Sequence, residues 1–253
     1  MLRIYLTGEV AVERGEQLLR DADLPGRQGR LALVYLVSER ERAVTQSELA
    51  ELLWPDALPP SWPVALSAVI SKLRQKLGAL GLDREHIIAN AFRCYQFRPP
   101  TETWIDLEAA ANALHHAEGA MLANKPDAAY GPSLIATTIA RRPFLMGEDS
   151  PWVVGRRDRL RDLLVRALDC RIEALVWNGE LALAQDQARV AVDLEPFRET
   201  GYRRLMQVLV KRGDRAEAVR VYQECRQRLT EELGVAPSEE TEWLHRQLLG
   251  STA

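Results

Sequence analysis

Residues 65–78 read ALSAVISKLRQKLG, and their spacing decides how the first part of the chain is built. Leu66, Val69, Ile70, Leu73 and Leu77 recur at helical intervals and form one narrow apolar stripe. Opposite the stripe stand Ser67, Ala68, Ser71 and Gln75, all small or uncharged. Lys72 and Lys76, four apart, take one flank and Arg74 the other. A helix that enters the major groove needs this layout. Its apolar back docks on a domain, short side chains approach base edges, and cations meet phosphates. An ordinary amphipathic surface helix also fits the stripe, so the neighbouring sequence has to decide.

Working outward toward the N-terminus, Thr45 opens a helix with Glu48 three residues on, the spacing of a capping box. Leu49, Leu52 and Leu53 carry that helix to Trp54, where Pro55 stops it. Pro55, Pro59, Pro60 and Pro63 make the connection to the 65–78 helix a loop, and Gly78 reads as the helix stop. Arg27–Ser38 is apolar along most of its length and predicts a buried helix. Before it, Leu2, Ile4 and Leu6 alternate with polar neighbours, Val10 and Val12 resume the alternation, and Gln17–Leu19 returns after Gly15. These predict a small antiparallel sheet. On the other side, His86–Arg98 reads as two short strands joined at Asn90–Ala91.

Strands, three helices and a hairpin carrying Arg93 and Arg98 are the plan of a winged helix-turn-helix, with 65–78 as the reading helix and the hairpin as the wing. Residues 1–98 are therefore expected to form an α+β winged-helix DNA-binding domain. Charge agrees locally. Residues 65–98 hold six cations (Lys72, Arg74, Lys76, Arg84, Arg93, Arg98) and two anions (Asp83, Glu85) in a chain of net charge −3. A basic patch on an acidic chain points to a polyanion partner, here double-stranded DNA.

Pro99–Pro100 mark the expected boundary. Beyond them periodicity predicts helices over Trp104–Asn124, Ala128–Ala140, Pro151–Trp177, from Gly179 to Glu195, then Glu199–Arg212, Arg215–Leu233 and Glu239–Leu249. Gly179-Glu180 with Ala184 recurs as Gly213-Asp214 with Ala218, 34 residues later at each position. That is the period of tetratricopeptide repeats, in which helix pairs stack. Residues 101–250 are thus expected to form an all-α, tetratricopeptide-like helical repeat domain.

At 253 residues with 47% hydrophobic and 27% charged, the chain suits two folded domains rather than disorder. Cys94, Cys170 and Cys225 are widely spaced and odd in number, so neither a disulfide framework nor a metal knuckle is expected. The N-terminus lacks a cationic lead before an apolar run, and no uninterrupted apolar stretch approaches membrane-spanning length. The expectation is a cytoplasmic protein with no membrane association. No GxxxxGK[ST], GxGxxG, HExxH or GxSxG occurs, and adjacent His115 and His116 cannot chelate one metal as an i, i+4 pair does. No catalytic residue, cofactor or metal is expected.

Residues 218–249, AVRVYQECRQRLTEELGVAPSEETEWLHRQLL, resemble the closing helices of the bacterial transcriptional activation domain. The family pattern ALxxYxxxRxxLxxELGxxPxxExxxL is carried by Ala218, Val219, Tyr222, Arg226, Leu229, Glu232, Leu233, Gly234, Pro237, Glu240 and Leu244. EPFRETGYRRLMQVLVKRGDRAEA (195–218) and Arg142-Pro143-Phe144-Leu145 resemble two further family segments. LWP followed by SKLRQKLG resembles the winged half of the SARP-like (antibiotic regulatory protein type) activators, which join an OmpR-like winged helix to this domain.

The resemblance implies an activator that binds promoter direct repeats as a homodimer and recruits RNA polymerase holoenzyme through its sigma factor. It places Ser71, Lys72, Arg74 and Lys76 on the recognition helix, and Arg27 and Arg30 where the family sets phosphate-contacting cations. Together with the helix pattern, Ser67, Ser71 and Gln75 are expected to face bases. Lys72, Arg74, Lys76, Arg93, Arg27 and Arg30 are expected to contact phosphates. Where relatives carry Arg or Asn at the first turns of that helix, this chain has Pro63, Val64 and Ser67, and the wing reads Cys94-Tyr95-Gln96-Phe97 instead of GYRL. Two other readings remain: a helical-repeat interaction protein with a degenerate winged helix, and a regulator gated by a small molecule held in the repeats.

Overall fold

The alternation at the N-terminus builds β1 (Leu2–Tyr5), β2 (Ala11–Arg14) and β3 (Gln17–Arg20), paired antiparallel in sequence order. Leu2, Ile4, Val12 and Leu19 turn to the core. In the computed structural model, which describes residues 1–250, the chain forms two compact units. The first comprises residues 1–109 with 142–159, the second 110–141 and the chain from Leu160 onward.

In the first unit α1 (Gly26–Ser38) is buried along most of its length and packs on α3 (Trp62–Ala79) and α2 (Gln46–Leu53). A three-stranded sheet of order β4-β6-β5 follows, from β4 (Val44–Thr45), β5 (Ile88–Ala91) and β6 (Cys94–Phe97). Thr45 caps α2 by accepting from the Glu48 amide at 3.1 Å. Glu48 does not complete the capping box, because its carboxylate is taken by Arg42 at 2.5 Å and by the Tyr35 hydroxyl. The sequence placed the start of α3 at Ala65; the helix begins at Trp62, with Pro63 in the first turn, where its missing N–H costs nothing. It runs one residue past Gly78.

Two expectations about strands are corrected. The hairpin turns at Phe92–Arg93, whose φ angles are +52° and +59°, while Asn90 and Ala91 lie in β5 paired with Tyr95 and Cys94. The helix expected from Trp104 starts at Asp106, because Thr103–Ile105 forms β7, parallel to β1 at the edge of the first sheet. Asp106, fully buried, explains the switch. Its carboxylate accepts from the amides of Leu6 and Thr7 at 2.9 Å, from the Thr7 hydroxyl at 2.7 Å and from the Leu107 amide at 2.8 Å. One side chain thus ends β1, ends β7 and opens α4 (Asp106–Leu122).

The first unit therefore reaches past residue 98, and it also holds residues 142–159. Gly8 N–H donates to Pro143 O at 2.7 Å, and Thr7 and Phe144 form a bridge. Arg157 donates to Phe144 O at 2.9 Å and Leu145 O at 2.6 Å, and Trp152 packs against Tyr35 and Phe144.

The second unit is helical: the rest of α4, α5 (Tyr130–Ala140), most of α6 (Pro151–Trp177), α7 (Leu181–Leu194), α8 (Glu199–Arg212), α9 (Arg215–Arg228) and α10 (Glu239–Gly250). α7 packs on α8, α8 on α9, and α10 on both α9 and α8. The 34-residue period is visible in the backbone. Gly179 and Gly213 are left-handed (φ +78° and +88°). Glu180 N–H returns to Leu175 O, and Asp214 N–H to Leu209 O, both at 2.9 Å. Ala184 and Ala218 are fully buried at matching positions, letting consecutive helices approach. The helix expected to run to Leu233 ends at Arg228 and passes into a π-helical turn over Leu229–Leu233.

Candidate nucleic-acid interface

α3 divides as its spacing predicts. Leu66, Ile70, Leu73 and Leu77 are buried, while Ser67, Ala68, Ser71, Lys72, Gln75 and Lys76 are exposed. The exposed face continues into the first turn with Pro63 and Val64, the latter 71% exposed. The whole solvent side of the helix is thus short or flexible side chains, so a flat surface can approach its backbone. Lys72 and Lys76 have neither hydrogen-bond nor ion-pair partners among the described residues, unlike most arginines of the chain. An unpaired, hydrated ammonium retains its full charge for an incoming anion.

Arg74 stands apart from the two lysines. Its Nε and Nη2 both donate to Ile88 O, at 3.1 and 2.6 Å, so a half-buried guanidinium ties α3 to the first strand of the hairpin. The hairpin base is packed through Ile88, Tyr95 and Phe97, and β4 extends it by pairing Val44 with Tyr95. Burial pushes the Tyr95 hydroxyl upward, opposed by nearby Arg74. The turn itself is held by Gln46 N–H donating to Arg93 O at 3.0 Å. The Arg93 side chain is exposed and has no partner among the described residues. Between helix and hairpin lies a cleft of about 570 Å³ lined by Ser71, Arg74, Gln75, Arg84, Glu85 and Asn90.

The structure gathers Ser67, Ser71, Lys72, Gln75 and Lys76 on one face and sets Arg93 at the tip of the hairpin that Arg74 fastens to it. Arg27 and Arg30 are engaged elsewhere. Arg27 Nη2 meets Glu148 Oε2 at 2.6 Å, with that carboxylate almost wholly buried, and Arg30 Nε meets Asp21 Oδ1 at 3.0 Å. Both carry carboxylate partners inside the first unit: Glu148 lies far along the chain from Arg27, and Asp21 meets Arg30 from the turn before α1, at a spacing that no helical or strand period marks. Sequence reasoning counted Arg84 only in the basic patch and Asn90 only at the turn, without setting them in the cleft, and it missed Phe92 at the hairpin tip, which is 99% exposed. The signal for the tip is a two-residue turn between alternating strands; the Asn at position 90 drew attention two residues too early.

No helix among the described residues is long and apolar enough to cross a membrane. In the second unit a cleft of about 500 Å³ is lined in part by Asn124, Ile172, Trp177, Arg204, Gln207 and Lys211.

Comparison with known proteins gives these features a setting. The sequence profile of the bacterial transcriptional activator domain matches residues 105–249. The regulatory protein AfsR of Streptomyces griseus is 27% identical over 250 residues, 98% of this chain and 24% of AfsR. AfsR of Streptomyces coelicolor is 28% identical over 251 residues, with the same shares of 98% and 24%. The chain spans about a quarter of the length of these relatives. Among solved structures, Mycobacterium tuberculosis EmbR, in complex with a low-affinity phosphopeptide, superposes with a TM-score of 0.85 over 98% of this chain and 65% of that one, at 23% identity. The shared fold is a small β-containing N-terminal region followed by a largely helical one. The chain belongs to the bacterial transcriptional activator domain family.

Proposed function

We propose that the first unit is an OmpR-like winged helix-turn-helix that binds double-stranded DNA through α3 and the hairpin, and that the protein acts in the cytoplasm as an activator. The observation that carries this reading is the exposed face of α3: short side chains flanked by Lys72 and Lys76, both without intramolecular partners, beside a hairpin tipped by Arg93. Ser67, Ser71 and Gln75 face base edges; Lys72, Lys76 and Arg93 contact phosphates. Arg74 holds the hairpin at the right height rather than reaching the backbone. Arg27 and Arg30 stay with Glu148 and Asp21. The helical unit stacks as tetratricopeptide-like pairs and supplies surface for a second protomer and for the sigma factor of RNA polymerase holoenzyme. Paired protomers then occupy direct repeats in a promoter.

Each phosphate neutralised contributes about −0.9 to the slope of log affinity against log salt. A Lys72→Ala/Lys76→Ala double variant is expected to weaken binding to all sequences and to flatten that slope by about 2. An unchanged slope in a gel-shift salt series would remove α3 from the interface. A second reading, that the helical unit receives a small molecule, is favoured by the cleft lined in part by Trp177 and Lys211, the tryptophan being 67% exposed. Trp177 emission, compared between the wild type and a Trp177→Phe variant, reports occupancy of that cleft directly.

A further inference from the structure

The hairpin tip bears a feature that phosphate contact does not explain. Phe92 is 99% exposed, the most exposed of the chain's large apolar side chains among the described residues. It also sits at φ +52°, followed by Arg93 at +59°. Two successive left-handed residues make the tight turn that suits a twisted hairpin, but these positions favour Asn and Gly. A bulky residue there is strained, and an exposed ring returns no packing in compensation. The turn is not loose. Gln46 N–H holds Arg93 O at 3.0 Å, and Cys94 Sγ–H lies 3.6 Å from Phe92 O. Tyr95, Phe97 and Ile88 bury the strands behind the tip, and Arg74 anchors the base. A rigid stem therefore presents a bare aromatic ring beside an unpartnered guanidinium. Asn90 and Ala91, small side chains, precede it on the exposed end of β5.

We infer that Phe92 is a wedge that enters the minor groove and inserts its ring between base pairs when α3 lies in the adjacent major groove. An apolar residue next to an arginine on a narrow projection is the chemistry that unstacks a base step and bends the duplex. A two-residue turn is narrow enough for a groove about 6 Å wide. Pyrimidine–purine steps, TA above all, open most easily, so the wedge confers a preference at a position where no base edge is read by hydrogen bonding. This inference rests on the DNA-binding reading above, and the two fail differently.

The probe is a short alternating TA duplex with 2-aminopurine in place of some adenines, titrated with the full chain. Wild-type protein is expected to bind with a salt-dependent affinity and to raise 2-aminopurine emission by unstacking. Phe92→Asn, which suits a left-handed turn and removes the ring, is expected to melt no lower than wild type, to keep the salt slope, to bind about tenfold more weakly and to leave emission unchanged. Phe92→Trp is expected to restore the emission rise. If Phe92→Asn matches wild type in affinity and emission, the wedge is overturned while DNA binding stands, and the ring faces a protein instead. If the wild type shows no salt-dependent binding at all, the DNA reading falls and takes the wedge with it.

Discussion

Single side chains carry much of the first unit's architecture, and Asp106 is the clearest case. Its buried carboxylate satisfies three backbone amides and one hydroxyl, drawn from the segment just after β1 (Leu6, Thr7) and from the first turn of α4 (Leu107). Replacing it with alanine orphans these donors in a dry site, each at a cost of about 1–3 kcal/mol. Asp106→Ala is expected to lower unfolding stability by about 3 kcal/mol or more in urea titrations. Nothing in a local sequence window announces this role, because the partners lie about a hundred residues upstream. Glu48 behaves differently. Hydrogen bonding from Arg42, working against burial, holds its carboxyl below the usual carboxylate range. Its folded pKa is depressed, so its stabilising contribution is complete above the unfolded value near 4.3 and is lost as pH falls through the lower folded value. Acid melting curves of Glu48→Gln are expected to fall less steeply than wild type across that window. The three thiols should also sort by environment. Burial pushes Cys170 up to about 11 and Cys225 up to about 12, whereas Cys94 is half-buried on the hairpin. Iodoacetamide followed by peptide mass mapping is expected to label Cys94 well before the other two.

At the scale of elements, periodic signals were legible and long-range ones were not. The stripe Leu66–Ile70–Leu73–Leu77 fixes α3, and alternation fixes β1 to β3, because each side chain's environment repeats with the element's own geometry. The 34-residue period was readable because it is written in glycines that must turn left-handed and alanines that must be small. Gly213→Ala is expected to cost roughly 1–2 kcal/mol, measured as a lower melting temperature, since alanine resists φ near +88°. β7 was illegible: three residues are too few for a period, and the parallel partner is far away. The turn of the hairpin was misplaced for a related reason. Phe92 and Arg93 carry none of the usual turn chemistry, and their conformation follows from the pairing of Asn90 with Tyr95 and Ala91 with Cys94. Of the candidate site, the face of α3 was visible in the sequence. The engagement of Arg27, Arg30 and Arg74 was not, since Arg74 bonds a backbone carbonyl that any residue offers, and the others find carboxylates through the tertiary fold.

For the molecule as a whole, the two units were expected to part at Pro99–Pro100, yet the first takes in β7 and residues 142–159. Those late residues attach through Gly8 N–H to Pro143 O and through side chains whose partners lie more than a hundred residues upstream, Glu148 with Arg27, Arg156 with Glu39 and Trp152 with Tyr35, so no local window announces their membership. A truncation ending at residue 98 is therefore expected to lose cooperative unfolding in circular dichroism melts, through loss of the Asp106 and Phe144 contacts. The central claim is that the exposed face of α3 reads duplex DNA. Its most direct measurement is selection of bound fragments from a randomised duplex pool, with sequencing after several rounds. Enrichment of one short motif, repeated in the same orientation at about a helical turn's spacing, is the predicted result. A pool that stays unenriched, while the protein remains folded and in excess, would contradict it.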